Sequence, residues 1–234
     1  MLTFVGLALT TGILITVVVL KFHDGGWATL IVTGGVVAFC LFVKRHYVRT
    51  AEMLKRLDDL VVAVEGEDDS FLPRADREAC EKSGLVAVLL VNGYTGLGLH
   101  SLLAIFKLFG CHFKKFIFLE VGVVDAGRFK GRDEVVNLEA HVRSELEKYV
   151  SLMRRMGYDA ESVYAIGTDV PEEVEKLSET LKEKYNRVVF FVGQLMFEEE
   201  TPLTRFLHSY TAFAVQKRLY RQGIALVTLP IRVY

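Results

Sequence analysis

The chain has 234 residues, 51% of them hydrophobic, and a formal net charge of −1. A nucleic-acid-binding domain normally carries a basic face, so this balance argues against a nucleic-acid partner. Three widely spaced cysteines without a CxxC pair argue against a disulfide framework and favour a reducing cytoplasm. Charge is distributed unevenly: His23 aside, residues 1–43 carry only Lys21 and Asp24. This asymmetry predicts one part in lipid and one in water.

Two apolar runs occupy the beginning of the chain. Leu2–Leu20 is uncharged and would span about 30 Å as a helix, which is the thickness of a bilayer core. Trp27–Val43 is a second run at the lower length limit for spanning. Five Lys and Arg residues follow within residues 44–56, whereas the connecting turn offers only Lys21. The positive-inside rule therefore predicts a hairpin of two transmembrane helices in the cell (inner) membrane, with residues 44–234 in the cytoplasm.

The turn and the exit of this hairpin resemble a known family. Residues 21–29 contain Phe-His-Asp-Gly-Gly-Trp, and residues 44–47 read Lys-Arg-His-Tyr. Both segments resemble the last membrane helices of amino acid–polyamine–cation (APC) superfamily permeases, closest to the potassium-uptake branch. The resemblance implies the C-terminal part of a secondary transporter driven by an ion gradient. Its substrate sites would lie on upstream transporter helices, which would be partners of this segment.

A juxtamembrane segment separates the hairpin from the rest of the chain. Thr50–Val64 repeats apolar residues at helical spacing, which predicts a helix leaving the membrane. An acidic, turn-rich stretch then predicts a solvated linker. We therefore expect a transmembrane hairpin in residues 1–43, a juxtamembrane helix and acidic linker in 44–84, and a cytoplasmic domain in 85–234.

From Leu85 onward, predicted strands and helices alternate. Apolar runs predict strands at 85–91, 116–124, 162–166, 188–192 and 224–229. Amphipathic patterns and end signals predict helices at 98–109, 133–156, 171–185 and 204–221. This alternation implies an α/β domain with a five-stranded parallel sheet and helices on both faces. In such sheets, ligands bind beyond the carboxyl ends of the strands.

The length and element order of residues 85–234 resemble the universal stress protein domain, with strand order 3-2-1-4-5. The resemblance implies a homodimer and, in many members, ATP held by a Gly-x-x-Gly motif after the fourth strand. This chain departs from that motif, because Gly193 is followed by Gln194, Leu195 and Met196. The acidic run Glu198–Glu200 would also repel a phosphate. No cofactor is therefore expected: a nucleotide stays an open alternative, and ATP is disfavoured.

Two strand exits supply the candidate ligand-binding residues. They are Asn92, Gly93, Thr95, Gly96, Gly98, Gly193 and Gln194. The glycines of the first exit could let backbone amides hold a phosphate at the start of the following helix. The same glycines are equally needed in a tight strand-to-helix turn, so packing or dimer contact is the other interpretation.

Nothing in the sequence indicates catalysis or a metal centre. The histidines are scattered without a nucleophile or ligand at helical spacing, and consecutive acidic residues point in different directions. We therefore expect no catalytic residues, no metal and no enzyme. The leading hypothesis is the tail of an APC-type transporter, with a cytoplasmic regulatory and dimerisation domain. The alternative is a stand-alone, membrane-tethered universal stress protein-like sensor or adaptor that binds a nucleotide.

Overall fold

The chain divides into two compact units, residues 1–52 and 53–234. The computed structural model describes residues 2–21, 26–66, 84–124, 132–197 and 202–233. Parts of three predicted features lie outside these ranges, namely the connecting turn at 22–25, the acidic linker at 67–83, and Glu198–Glu200. The second unit begins at Met53, within the segment that the sequence analysis assigned to the juxtamembrane linker.

The first unit consists of two helices, α1 (Leu2–Lys21) and most of α2 (Trp27–Leu57). Hydroxyls in α1 are satisfied within the helix, since Thr11 donates to the carbonyl of Leu7 at 2.7 Å and Thr16 to that of Gly12 at 2.9 Å. Among the described residues, one helical stretch, Trp27–Glu65, is long and apolar enough to cross a membrane, and its most apolar window is fully exposed. A second crossing by α1 stays a prediction.

The second unit is an α/β domain that follows a short helix, α3 (Asp59–Glu65). Its strands are β1 (Leu85–Leu90), β2 (Phe113–Val123), β3 (Asp159–Gly167), β4 (Val188–Phe197) and β5 (Leu226–Val233). Its further helices are α4 (Gly96–Phe109), α5 (Arg132–Arg155), α6 (Val170–Lys184) and α7 (Pro202–Arg221), with a 3₁₀ turn at Gly110–His112. Asp169 caps α6, because its carboxylate accepts the Glu172 amide at 2.8 Å.

All four strand pairings are parallel, and the order is β3-β2-β1-β4-β5. Alternate residues of β1 enter two separate cores: Ala87 and Leu89 pack towards α4 and α5, and Val86 and Val88 pack towards α6 and α7. Helices therefore cover both faces, as continuous apolar strands require. The predicted fold class and strand order are confirmed.

Two element bounds differ from the prediction in ways that bear on function. The helix predicted over Thr50–Val64 is interrupted at Asp58, whose amide donates to the Lys55 carbonyl at 3.1 Å in a tightened turn. After this turn, Val64 is buried in the core of the domain. The fourth strand was predicted to end at residue 192 but runs to Phe197, because it continues to pair with β5.

Candidate functional site

The predicted ligand residues meet at the carboxyl edge of the sheet, where β1 and β4 are neighbours. The chain leaves β1 towards one face and β4 towards the other, so this is the switch point of the sheet. A cleft of about 630 Å³ lies there. Four of the seven predicted residues line it: Asn92, Thr95, Gly98 and Gly193. Gly93 and Gly96 belong to the same loop without lining the cleft, and Gln194 lies within β4.

The amides of the loop after β1 are already bonded to the protein's own side chains. The Thr95 amide donates to the Tyr149 hydroxyl at 3.4 Å, and the Gly98 amide donates to the Thr95 hydroxyl at 3.4 Å. Three others donate to carboxylates: Gly93 to Glu120 Oε1 at 3.0 Å, Tyr94 to Glu145 Oε2 at 2.9 Å, and Gly96 to Asp58 Oδ1 at 2.9 Å. The amides predicted to hold a phosphate thus hold three internal carboxylates.

The contact at Gly96 joins the end of α2 to the sheet edge. A Cβ at this position would lie 2.0 Å from the carbonyl oxygen of Leu57 and 2.6 Å from the Asp58 nitrogen, so only glycine fits. Leu57 is buried beside Ile231 of β5, with Leu97 packed against the pair. The last turn of α2 is therefore an integral part of the cleft region of the second unit.

Tyr149 of α5 organises the loop from below. Its ring stacks on Phe118 at a centroid distance of 4.7 Å and meets Tyr94 edge-on at 4.7 Å. Its hydroxyl donates to the Gly93 carbonyl at 3.2 Å. It also explains Gly98, where a Cβ would lie 1.9 Å from the Tyr149 oxygen. Burial of the ring and hydroxyl raises the pKa of Tyr149, so the phenol stays a neutral hydrogen-bond donor.

Glu120 is a buried carboxylate at the end of β2, with 5% of its surface exposed. Its Oε1 accepts the Gly93 amide, whereas its Oε2 has no hydrogen-bond partner within the described part of the chain. Burial raises the pKa of Glu120, and the negative charge of Glu145 adds to this rise; the Gly93 hydrogen bond and His141 oppose it. Glu120 is therefore easier to protonate than an exposed glutamate.

Glu145 of α5 behaves in the opposite way. Partial burial acts to raise its pKa, but hydrogen bonds from the Tyr94 amide and the Lys148 ammonium outweigh burial, so the pKa is lowered. The Lys148 nitrogen lies 3.0 Å from the Glu145 carboxylate. Two neighbouring carboxylates on successive loop amides thus differ in proton affinity, because only one of them has a cationic partner.

The cleft itself is mainly apolar. Hydroxyls of Thr95, Ser101 and Thr211 border it, and Asp58 is the one ionised group among the described residues that line it. The Ser101 hydroxyl donates to the Leu97 carbonyl at 2.7 Å. The apolar lining includes Leu97, Val121, Val174, Val192, Leu195 and Val215. A volume of this size suits a small organic molecule.

A larger groove of about 860 Å³ runs along the outer side of α5. It is open, and charged groups of both signs border it, including Glu139, Arg143, Lys148 and Arg155. None of the seven predicted residues lines it. The cleft at the sheet edge is the better candidate site, because loops and a helix start converge there.

Sequence reasoning found the loop but missed the side chains that bind it. Glu120 carried a signal, since a carboxylate inside an apolar strand is expected to have a special role. Asp58, Glu145 and Tyr149 are far from the loop in sequence, and their spacing gives no sign of the contact. Among the described residues, no group of three His, Cys, Asp or Glu side chains could hold a metal.

The strand order and the switch-point cleft define the class of the second unit: a doubly wound five-stranded α/β domain with order 3-2-1-4-5. No family profile matches the chain, and no curated protein matches it. The chain is similar to solved structures of universal stress proteins. One from Burkholderia pseudomallei is 15% identical and covers 62% of this chain and 96% of its own, with a TM-score of 0.43. One from Archaeoglobus fulgidus is 11% identical and covers 62% and 92%, with a TM-score of 0.39. This similarity concerns the universal stress protein-like fold alone.

Proposed function

We propose that the chain is the C-terminal portion of an APC-type secondary transporter, in which the last two membrane helices are followed by a cytoplasmic regulatory domain. The resemblance of residues 21–29 and 44–47 to the potassium-uptake branch supports the transporter part. The apolar stretch Trp27–Glu65 supports membrane attachment. The basic residues at 44–56 favour a cytoplasmic location for the domain, on the inner face of the cell membrane.

One observation carries the regulatory role. The last turn of α2 supplies Leu54 and Asp58 to the wall of the switch-point cleft, and Leu57 is buried against β5. The same helix continues towards the N-terminus as the candidate membrane span. A molecule in the cleft would therefore contact residues that are continuous with the transporter, which is the requirement for a ligand to shift a conformational equilibrium.

The domain acts in this proposal by binding and not by catalysis. The loop amides bind side chains of the chain itself, and no nucleophile–base pair was recognised in the sequence. The proposed partners are the lipid bilayer, the upstream transporter helices, and a second copy of the chain in a homodimer. Coupling would be mutual, because any effect of ligand on transport implies an equal effect of the transport state on ligand affinity.

The transporter part is tested by detecting the native protein in its own cells. An antibody raised against residues 132–155 should recognise a membrane-fraction protein much larger than 26.4 kDa, because upstream helices would belong to the same polypeptide. A reporter fused after residue 234 should be active only when it is a cytoplasmic one. A membrane protein of about 26 kDa would contradict the transporter proposal and favour the tethered sensor instead.

The regulatory part is tested by uptake measurements on that transporter, with rubidium as a tracer for potassium. Leu57→Ala removes a side chain that is 7% exposed and should change the dependence of uptake on the external ion concentration. Val62→Ala is the matched control, since Val62 is 69% exposed. Equal uptake curves for both variants and the parent, at equal abundance in the membrane, would argue against regulation through this contact.

A further inference from the structure

The contents of the loop after β1 restrict what the cleft can bind. Its amides are the natural positions for a phosphate, but Asp58, Glu120 and Glu145 already accept from them. An incoming phosphate would have to displace these groups and would face three carboxylates around one short loop. Repulsion between like charges at such separations is strong in a partly buried site.

The cleft offers a different kind of molecule a favourable environment. Its described lining is apolar, and its one ionised group is Asp58. Oδ1 of Asp58 accepts the Gly96 amide, which leaves the second carboxylate oxygen available to another donor. No described basic side chain lines the cleft. The electrostatic potential at this edge therefore favours a cation over an anion.

We infer that the cleft binds a small organic amine with an apolar body, whose ammonium group pairs with Asp58 while its body lies among the aliphatic side chains of Val174, Val192 and Leu195. The ammonium supplies the hydrogen-bond donors that the Asp58 carboxylate accepts. The volume of about 630 Å³ accommodates a molecule of one or two rings. A regulatory effect of this amine rests on the proposed function, whereas its binding does not.

The inference is tested by ligand-observed NMR titrations of the full chain in detergent micelles, with protein-free micelles subtracted. The probes are 2-phenylethylamine, the neutral 2-phenylethanol, the anionic 3-phenylpropionate, and AMP. We expect the amine to bind with a Kd about tenfold lower than that of the alcohol. We expect no saturable binding of the acid or of AMP.

Two variants locate the binding. Asp58→Asn keeps an oxygen for the Gly96 amide but removes the charge, so the amine should weaken to the affinity of the alcohol. Asp59→Asn is the matched control, because Asp59 is a neighbouring exposed carboxylate that does not line the cleft. Ala212→Phe would fill the cleft and should abolish binding of both amine and alcohol. Thermal midpoints within a few degrees of the parent would show that the variants are folded.

Three outcomes would overturn the inference: no saturable binding of the amine, binding of the acid or AMP as tight as that of the amine, or an unchanged amine affinity in Asp58→Asn. Binding is measured without transport. A failure here therefore leaves the transporter proposal intact, and a small native protein in the antibody experiment would leave the binding result intact.

Discussion

The two central strands of the sheet end side by side, yet their exits differ. After β1 the chain forms a loop whose amides bind side chains of the protein, and Gly96 touches the backbone of Leu57. After residue 192, β4 simply continues, and Gly193 pairs with Leu229 in the ladder. Gly193 also approaches a neighbour, but that neighbour is the side chain of Ser101.

This difference shows what the glycines are for. Each was predicted as a ligand contact, and each is explained by the close approach of another part of the chain. A backbone atom cannot move without displacing a whole segment, whereas a serine hydroxyl can rotate away. The cost of adding one methyl group should therefore separate the two exits, even though both contacts are similarly short.

The largest effect is expected for Gly96→Ala. Its Cβ would lie 2.0 Å from the Leu57 carbonyl oxygen, so the last turn of α2 would have to leave the sheet edge. We expect a loss of about 3 kcal/mol in the free energy of unfolding, measured as a lower thermal midpoint in detergent. A midpoint equal to that of the parent would show that α2 does not pack on this loop.

Gly193→Ala should cost less, about 1.5 kcal/mol, because the Ser101 hydroxyl can give way. Its Cβ would lie 2.2 Å from Ser101 Oγ and 3.4 Å from Ser101 Cβ. The double variant Gly193→Ala/Ser101→Ala removes the closest atom and should recover most of the lost stability. If the effects of the two single changes merely add, the contact is not the cause and the comparison of the two exits fails.

The sequence was sufficient for the sheet because each strand is a continuous apolar run of its own. Leu85–Leu90 and Val188–Val192 lie in the middle of the sheet, so both faces must be apolar, and the helical patterns between them require parallel crossovers. Strand ends were less predictable. The segment 193–197 reads as irregular in sequence, and only its pairing with β5 keeps it extended.

The site could be predicted only in part. Its glycines stand together in the sequence, so the loop was found. Its chemistry depends on Asp58, Glu120 and Glu145, which come from three different elements between 27 and 51 residues away along the chain. A local pattern shows that amides are exposed, but only tertiary packing shows which acceptors reach them first.

Tyr149→Phe removes one hydroxyl from beneath the loop. The Gly93 carbonyl and the Thr95 amide would each lose a partner, at 3.2 and 3.4 Å, whereas the ring contacts with Phe118 would persist. We expect a loss of about 1 kcal/mol in the free energy of unfolding, checked by thermal melting. Tyr185→Phe is a control of the same chemistry at a half-buried position outside the loop. Equal losses would mean that the loop gains nothing special from Tyr149.

The smallest effect is expected for Glu120→Gln, and its sign depends on pH. Because the pKa of Glu120 is raised in the folded state, the stability that this group contributes is present at low pH and is lost as pH rises through that pKa. The glutamine side chain would carry no charge, so the variant should melt about 2 °C higher than the parent at pH 8, with the difference vanishing near pH 4. Glu145→Gln should behave oppositely: its pKa is lowered, so its contribution is present above the ordinary carboxyl pKa and the variant should melt lower at pH 8. Shifts of the same sign at pH 8 would contradict the assignment of opposite proton affinities to the two loop-bound glutamates, whereas opposite shifts would show that the loop tolerates one unpaired carboxylate because it is partly protonated.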